Sequence, residues 1–174
     1  MSNGFDADEI LDLVDENDQV IRQITRGDFQ DSINNPPGNI RGAAAFIINS
    51  SGELWIPRRI ASKRIMPSGL DYSVAEHVGA GESYDEAIVR GFEEELNMTI
   101  SIKDLSSGEI VLPTPYRPLF IKTYIYRSNE VPNYSRDDYC EYQWIKPRDV
   151  IELLQSGKDI GKSGLISAIE MLFL

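Results

Sequence analysis

Two short runs, Ile10 to Val14 and Gln19 to Ile24, carry apolar residues on either side of the polar stretch Asp15-Glu16-Asn17-Asp18. That layout predicts a β-hairpin. Asp31 to Asn39 holds two prolines, three asparagines and a glycine and reads as a loop. Ala43 to Ile48 is a short apolar run, a candidate buried strand. The turn residues Asn49-Ser50-Ser51-Gly52 separate it from a second strand, Glu53 to Pro57. Pro67-Ser68-Gly69 breaks the chain again. Glu109 to Leu112, Leu119 to Tyr126 and Tyr139 to Ile145 look like further strands. Pro147 to Leu154 begins with proline at a helix entry and reads as helical. Gly161 to Leu174 closes the chain as a helix with Leu165, Ile166, Ile169, Leu172 and Phe173 on one face.

The clearest helix is Ser83 to Leu96. Ser83 and Glu86 have capping-box spacing, in which each side chain satisfies an otherwise orphaned backbone N–H. Tyr84, Ile88, Phe92 and Leu96 recur every four residues and form one apolar stripe facing a core. Asn97 is placed to end the helix in the left-handed conformation.

Composition narrows the classes. The 174 residues are 41% hydrophobic and 26% charged, which is ordinary globular usage. One domain over 1–174 is expected, with the hairpin as an N-terminal extension at about 1–40, since domains commonly run to about 100–150 residues. The net charge of −11 repels phosphate backbones and anionic lipid surfaces. Nucleic acid as the main partner and membrane binding are therefore disfavoured. A single cysteine, Cys140, and a single histidine, His77, exclude an intrachain disulfide and multi-His or Cys-based zinc sites. Cys140 reads as a buried small apolar residue. Met1 to Glu9 lacks a signal-peptide core, and no apolar run nears the roughly 20 residues of a membrane span. A soluble cytoplasmic protein is the expectation.

Candidate chemistry lies on the central helix. Glu93-Glu94-Glu95 ordinarily reads as a solvated acidic face. Here the three carboxylates fall in the last turn, where the helix dipole disfavours negative charge. Arg90 sits four residues before Glu94, within ion-pair reach. Glu82 precedes the N-cap on the turn Gly79-Ala80-Gly81. Glu94 and Glu95 lie about 100° apart around the helix, so both can point to one edge. Hard oxygen donors gathered this way suit Mg²⁺ or Mn²⁺.

Glu82, Arg90, Phe92, Glu94-Glu95 and Met98 fall into the frame of the Nudix box, G-x5-E-x7-R-E-U-x-E-E-x-G-U, where U is a bulky apolar residue. Seven residues separate Glu82 from Arg90, as the box requires. The chain therefore resembles the Nudix hydrolase superfamily. A wider likeness, to the branch similar to isopentenyl diphosphate isomerase, runs from about Ile10 to the C-terminus. Leu13-Val14-Asp15-Glu16-Asn17, Arg26 and Trp55-Ile56-Pro57-Arg58-Arg59 belong to it. The resemblance implies an α/β fold, an α/β/α sandwich with a mixed central sheet. It also implies Mg²⁺- or Mn²⁺-dependent hydrolysis of a diphosphate linkage in a nucleoside diphosphate derivative. Glu94 and Glu95 would be metal ligands with Glu82 as a third, and Arg90 would hold one of these carboxylates. Arg58 and Arg59 are candidates for binding substrate phosphates, although strand alternation sends only one inward. Asp138 and Glu141 are candidates for the base or an extra ligand, against an ordinary polar strand edge. The partner expected is a small-molecule diphosphate, and a homodimer through the hairpin or an exposed strand is compatible with this reading.

The box is departed from at three positions. Its first glycine falls at Glu76, its last at Asn97, and the glutamate after the arginine at Gly91. That glutamate is usually a metal ligand in the family, so a carboxylate is missing one turn before Glu95. Glycine inside a helix also costs about 1 kcal/mol relative to alanine. A Nudix-like domain that binds a nucleotide or partner without turnover is the alternative. Isomerisation is the weaker option. Its catalytic cysteine falls at Ala75, its metal-binding histidine at His77, and its later glutamate pair near Arg117 and Leu119.

Overall fold

The computed structural model describes residues 6–174. Residues 1–5 of the expected N-terminal extension lie outside the described residues. Strands β1 (Ile10–Val14) and β2 (Val20–Thr25) pair antiparallel as a separate two-stranded sheet. The Thr25 side chain accepts from the Asp28 N–H and starts a short helix, α1 (Arg26–Asp31). Sequence periodicity does not reveal α1, because six residues with Phe29 alone buried make no repeating stripe.

The main sheet is built on β3 (Ile40–Ile48), which is parallel to β7 (Leu119–Arg127) on one side. On its other side β3 is antiparallel to β4 (Leu54–Arg59) at one end and to β5 (Val74–His77) along Gly42 to Ala45. The edge strands β6 (Leu105–Val111) and β8 (Tyr139–Ile145) pair antiparallel with β7 and β4. Six strands thus form one mixed sheet. Three helices cover it: α2 (Tyr84–Leu96), α3 (Pro147–Gln155) and α4 (Leu165–Phe173).

Alternation along β3 explains the layering. Ala43, Ala45 and Ile47 point to one face and join Ala87, Ile88, Phe92 and Leu96 of α2. Ala44 and Phe46 point to the other and join Val150 and Ile151 of α3 and Leu165, Ala168 and Ile169 of α4. The sheet therefore sits between helices on both faces, the α/β/α arrangement expected. Burying Ile88 or Phe92 completely is worth about 1.5–3 kcal/mol each, which outweighs the helix-propensity cost of Gly91. The hairpin packs its own cluster, with Leu11, Leu13, Ile24, Phe29 and Ile40 buried together.

Several boundaries differ from the sequence reading. β6 starts at Leu105 rather than Glu109, because the polar Ser106-Ser107-Gly108 stretch still pairs as an edge strand with an irregular register. α4 starts only at Leu165, since Gly164 sits at its N-cap with φ +82°. Cys140 is exposed rather than buried: it lies on the edge strand β8, where its Sγ stands 3.6 Å from the Arg58 carbonyl oxygen. Among the described residues no helix is long and apolar enough to cross a membrane.

Candidate active site

The turn Gly79-Ala80-Gly81 sets the start of α2. Gly81 adopts φ +74°, which favours glycine. Its N–H donates to Asp12 Oδ2 (2.9 Å), tying the turn to the hairpin. Ser83 and Glu86 form the capping box, and Asn97 closes the helix with φ +53°. α2 is therefore fixed at both ends, and its edge residues have defined directions.

Arg90 is the hub of that edge. Its Nε donates to Glu82 Oε1 (2.9 Å) and its Nη2 to Glu82 Oε2 (3.0 Å) and the His77 carbonyl (2.9 Å). Its Nη1 donates to Glu94 Oε2 (3.3 Å) and Glu76 Oε2 (3.4 Å). Glu82 also accepts from the Gly79 N–H (2.8 Å). Partial burial pushes the Glu82 carboxyl up, but Arg90 and the Gly79 N–H more than reverse this and hold it below its ordinary value. Both Glu82 oxygens thus accept hydrogen bonds, and Glu82 is not part of the neighbouring cavity's lining. Glu82 and Arg90 are joined through both carboxylate oxygens.

That cavity has a volume of about 730 Å³. Glu94 and Glu95 of α2 and Glu76 of β5 line it. Burial raises the Glu95 carboxyl well above the carboxylate range, and the nearby Glu76 and Asp71 charges raise it further. Tyr139 donates its hydroxyl to Glu95 Oε2 (2.8 Å). Glu76 is also raised by burial, which Arg90 partly offsets. Each of these two acids is raised chiefly by burial, and like charge between them adds to the rise in Glu95. Among the described residues no three acidic, histidine or cysteine side chains are grouped to hold an ion as they stand. The donor chemistry nevertheless suits a hard divalent cation, since Glu76, Glu94 and Glu95 bring three carboxylates to one cavity.

The remaining walls mix apolar, acidic and basic side chains, with Asp6, Glu9, Asp137 and Asp138 among the acids. Arg59, Lys63, Arg117 and Lys162 all line the cavity. Arg59 Nη1 donates to the buried Asp71 (2.5 Å), and Lys162 stands 3.6 Å from the same carboxylate. Arg58 points elsewhere. It is bidentate to Asp159 (2.9 and 2.7 Å) and donates to Glu141 (2.6 Å) and the Ser68 carbonyl (2.9 Å). Of the two arginines only Arg59 lines the cavity, as strand alternation requires. Glu141 is correspondingly turned to Arg58 and lies outside the cavity, because its register partner on β4 is Arg58 itself. Asp138 does line the cavity and is ion-paired with Lys63.

His77, on β5, also lines the cavity. Burial and the surrounding charges of Arg26, Lys162 and Arg90 push its imidazole down to about 3, so it is neutral. Ala75, Arg117 and Leu119 line the same space. Residues not singled out in the sequence are Tyr139, Lys162 and the 97% exposed Tyr116 at the cavity. They come from segments remote from the box, and no local pattern marks them.

Gly91 is buried against β5. A Cβ placed on it would stand 2.6 Å from Glu76 Cγ and 2.8 Å from Val74 Cγ1. Alternation along β5 turns Val74 and Glu76 toward α2, so the stem of Glu76 fills the space beside Gly91.

Comparison with known proteins identifies the family and the fold. A protein of Nostoc sp. described as an uncharacterised Nudix hydrolase is 39% identical over 166 residues, covering 95% of this chain and 96% of that one. A crystal structure from Deinococcus radiodurans superposes with a TM-score of 0.79 at 32% identity, covering 95% of this chain and all of the other. An isopentenyl-diphosphate Delta-isomerase of Kocuria rhizophila is 27% identical over 119 residues, 63% of this chain and 64% of its own. The NUDIX domain model matches residues 38–164, from the loop before β3 to the N-cap of α4, and the chain belongs to the Nudix family.

Proposed function

We propose that this protein hydrolyses a diphosphate linkage in a nucleoside diphosphate derivative, with Mg²⁺ or Mn²⁺ held by Glu94 and Glu95. The observation that carries this reading is one cavity in which Glu76, Glu94 and Glu95 stand together with the basic groups Arg59, Arg117 and Lys162. The acids suit a cation, and the basic groups suit the phosphates. The bound cation would neutralise and orient the diphosphate. Arg90 keeps Glu94 turned to this edge through their 3.3 Å contact and is itself anchored by Glu82. Water attacks phosphorus, the bond from phosphorus to the bridging oxygen breaks, and a cavity carboxylate takes the water's proton. Asp138 is better placed for that role than Glu141, whose carboxylate is held by Arg58. The exposed Tyr116 offers an aromatic face for a base.

Isomerisation is not supported. Ala75 has no proton to exchange, Arg117 and Leu119 bring no carboxylate, and Cys140 is outside the cavity. Binding without turnover rested on Gly91. The Glu76 side chain packs on that glycine, and turnover itself separates the two readings.

The test is to incubate the protein with Mg²⁺ or Mn²⁺ and a panel of nucleoside diphosphate derivatives, following products by phosphorus NMR. Wild type should release a phosphate product that Glu94→Gln and Glu95→Gln reduce by at least about a hundredfold, the scale of lost charge stabilisation. Equal release from all three proteins would refute catalysis by this helix.

A further inference from the structure

We infer that Glu76 supplies, from strand β5, the metal-binding carboxylate that the Nudix box carries at position 91 of helix α2. The inference rests on the metal-dependent reading above and adds one ligand to it. Its basis is steric. A side chain at position 91 begins 2.6 Å from Glu76 Cγ and 2.8 Å from Val74 Cγ1, closer than real Cβ contacts come. A glutamate at 91 and the present Glu76 therefore exclude one another. The two positions hold the box's glycine and glutamate in exchanged order, so the number of acids at this edge is unchanged.

The carboxylate of Glu76 also ends where a ligand is needed. It lines the same cavity as Glu94 and Glu95. A purely structural role, as counter-ion to Arg90, explains less. The Arg90–Glu76 contact at 3.4 Å is the longest that Arg90 makes, and Glu82 already binds that guanidinium through two oxygens. Arg90 does not need Glu76, whereas the cation site lacks a carboxylate without it.

The experiment measures Mn²⁺ binding alone, by electron paramagnetic resonance of the free ion, with no substrate present. The proteins are wild type, Glu76→Gln, Glu95→Gln, Glu76→Gly, and the exchange Glu76→Gly with Gly91→Glu. Glu76→Gln preserves shape and should weaken Mn²⁺ binding at least tenfold, the least expected when even a supporting contact is lost. Glu76→Gly should weaken it as much, and the exchange should recover most of the loss. If Glu76→Gln binds as wild type while Glu95→Gln does not, the role of Glu76 is refuted and the metal site stands. A folded exchange variant that binds no better than Glu76→Gly refutes it too. If wild type itself fails to bind Mn²⁺, the metal-dependent reading falls and this inference with it.

Discussion

Gly91→Ala sets two known effects against each other. Helix propensity alone favours alanine by about 1 kcal/mol in a helix interior. The structure opposes this, because the new methyl would meet Glu76 Cγ at 2.6 Å and Val74 Cγ1 at 2.8 Å. Neither atom is the free end of a flexible chain. Val74 is β-branched and fully buried, and Glu76 Cγ is held between its strand and a hydrogen-bonded carboxyl. Overpacking of this kind costs about 1–3 kcal/mol. The net expectation is a loss of about 1 kcal/mol. Urea unfolding of the metal-free protein reads it as a lower midpoint at unchanged slope. The same substitution in a Glu76→Ala background removes the closer contact, and alanine at 91 should then be better tolerated by about 0.5–3 kcal/mol, the usual coupling of touching residues. If Gly91→Ala stabilises wild type by the full propensity gain, or shifts both backgrounds equally, Glu76 does not fill that space and the steric reasoning is wrong.

Ser83→Ala removes the side-chain acceptor for the Glu86 N–H and should cost about 1 kcal/mol, seen as a Tm lower by about 2–4 °C. Arg90→Lys keeps the charge but loses the fork that binds both Glu82 oxygens. It should destabilise by about 1–2 kcal/mol in calorimetry and weaken Mn²⁺ binding through the released Glu94. Asp159 is held below its ordinary carboxylate value chiefly by the Arg58 hydrogen bonds, against partial burial. A depressed folded-state value means that the pair's stabilisation is present above the unfolded value of about 3.8 and is lost as pH falls through the folded one. Asp159→Asn should therefore cost about 1.5 kcal/mol near neutral pH and show a shallower acid limb, measured by urea titrations from pH 7 to 2.5.

The elements with strong local signals were legible without coordinates. Capping at Ser83, the stripe of α2, strand β8 and the hairpin all stand close to where the pattern places them. β5 was not legible. Four residues ending in Glu76-His77 carry no strand pattern, and only pairing with β3 makes them one. The same gap hid the site's third acid. Glu76 reads in sequence as a failure to match a glycine, and its meaning depends on lying across from Gly91 in space. Of the paired arginines, alternation shows that one turns inward but not which. The register Arg58↔Glu141 decides it. Glu82 fits the box by spacing, yet spacing does not show that Arg90 and the Gly79 N–H occupy both of its oxygens.

The close approach of Gly91 to Glu76 also restricts how such a site changes over generations. A chain holding acids at both positions would crowd the α2–β5 contact, while one with glycine at both would fold but lack a carboxylate. Neither single change is neutral from either side. A motif read one position at a time scores this pair as two independent losses, although the two positions are coupled through one contact.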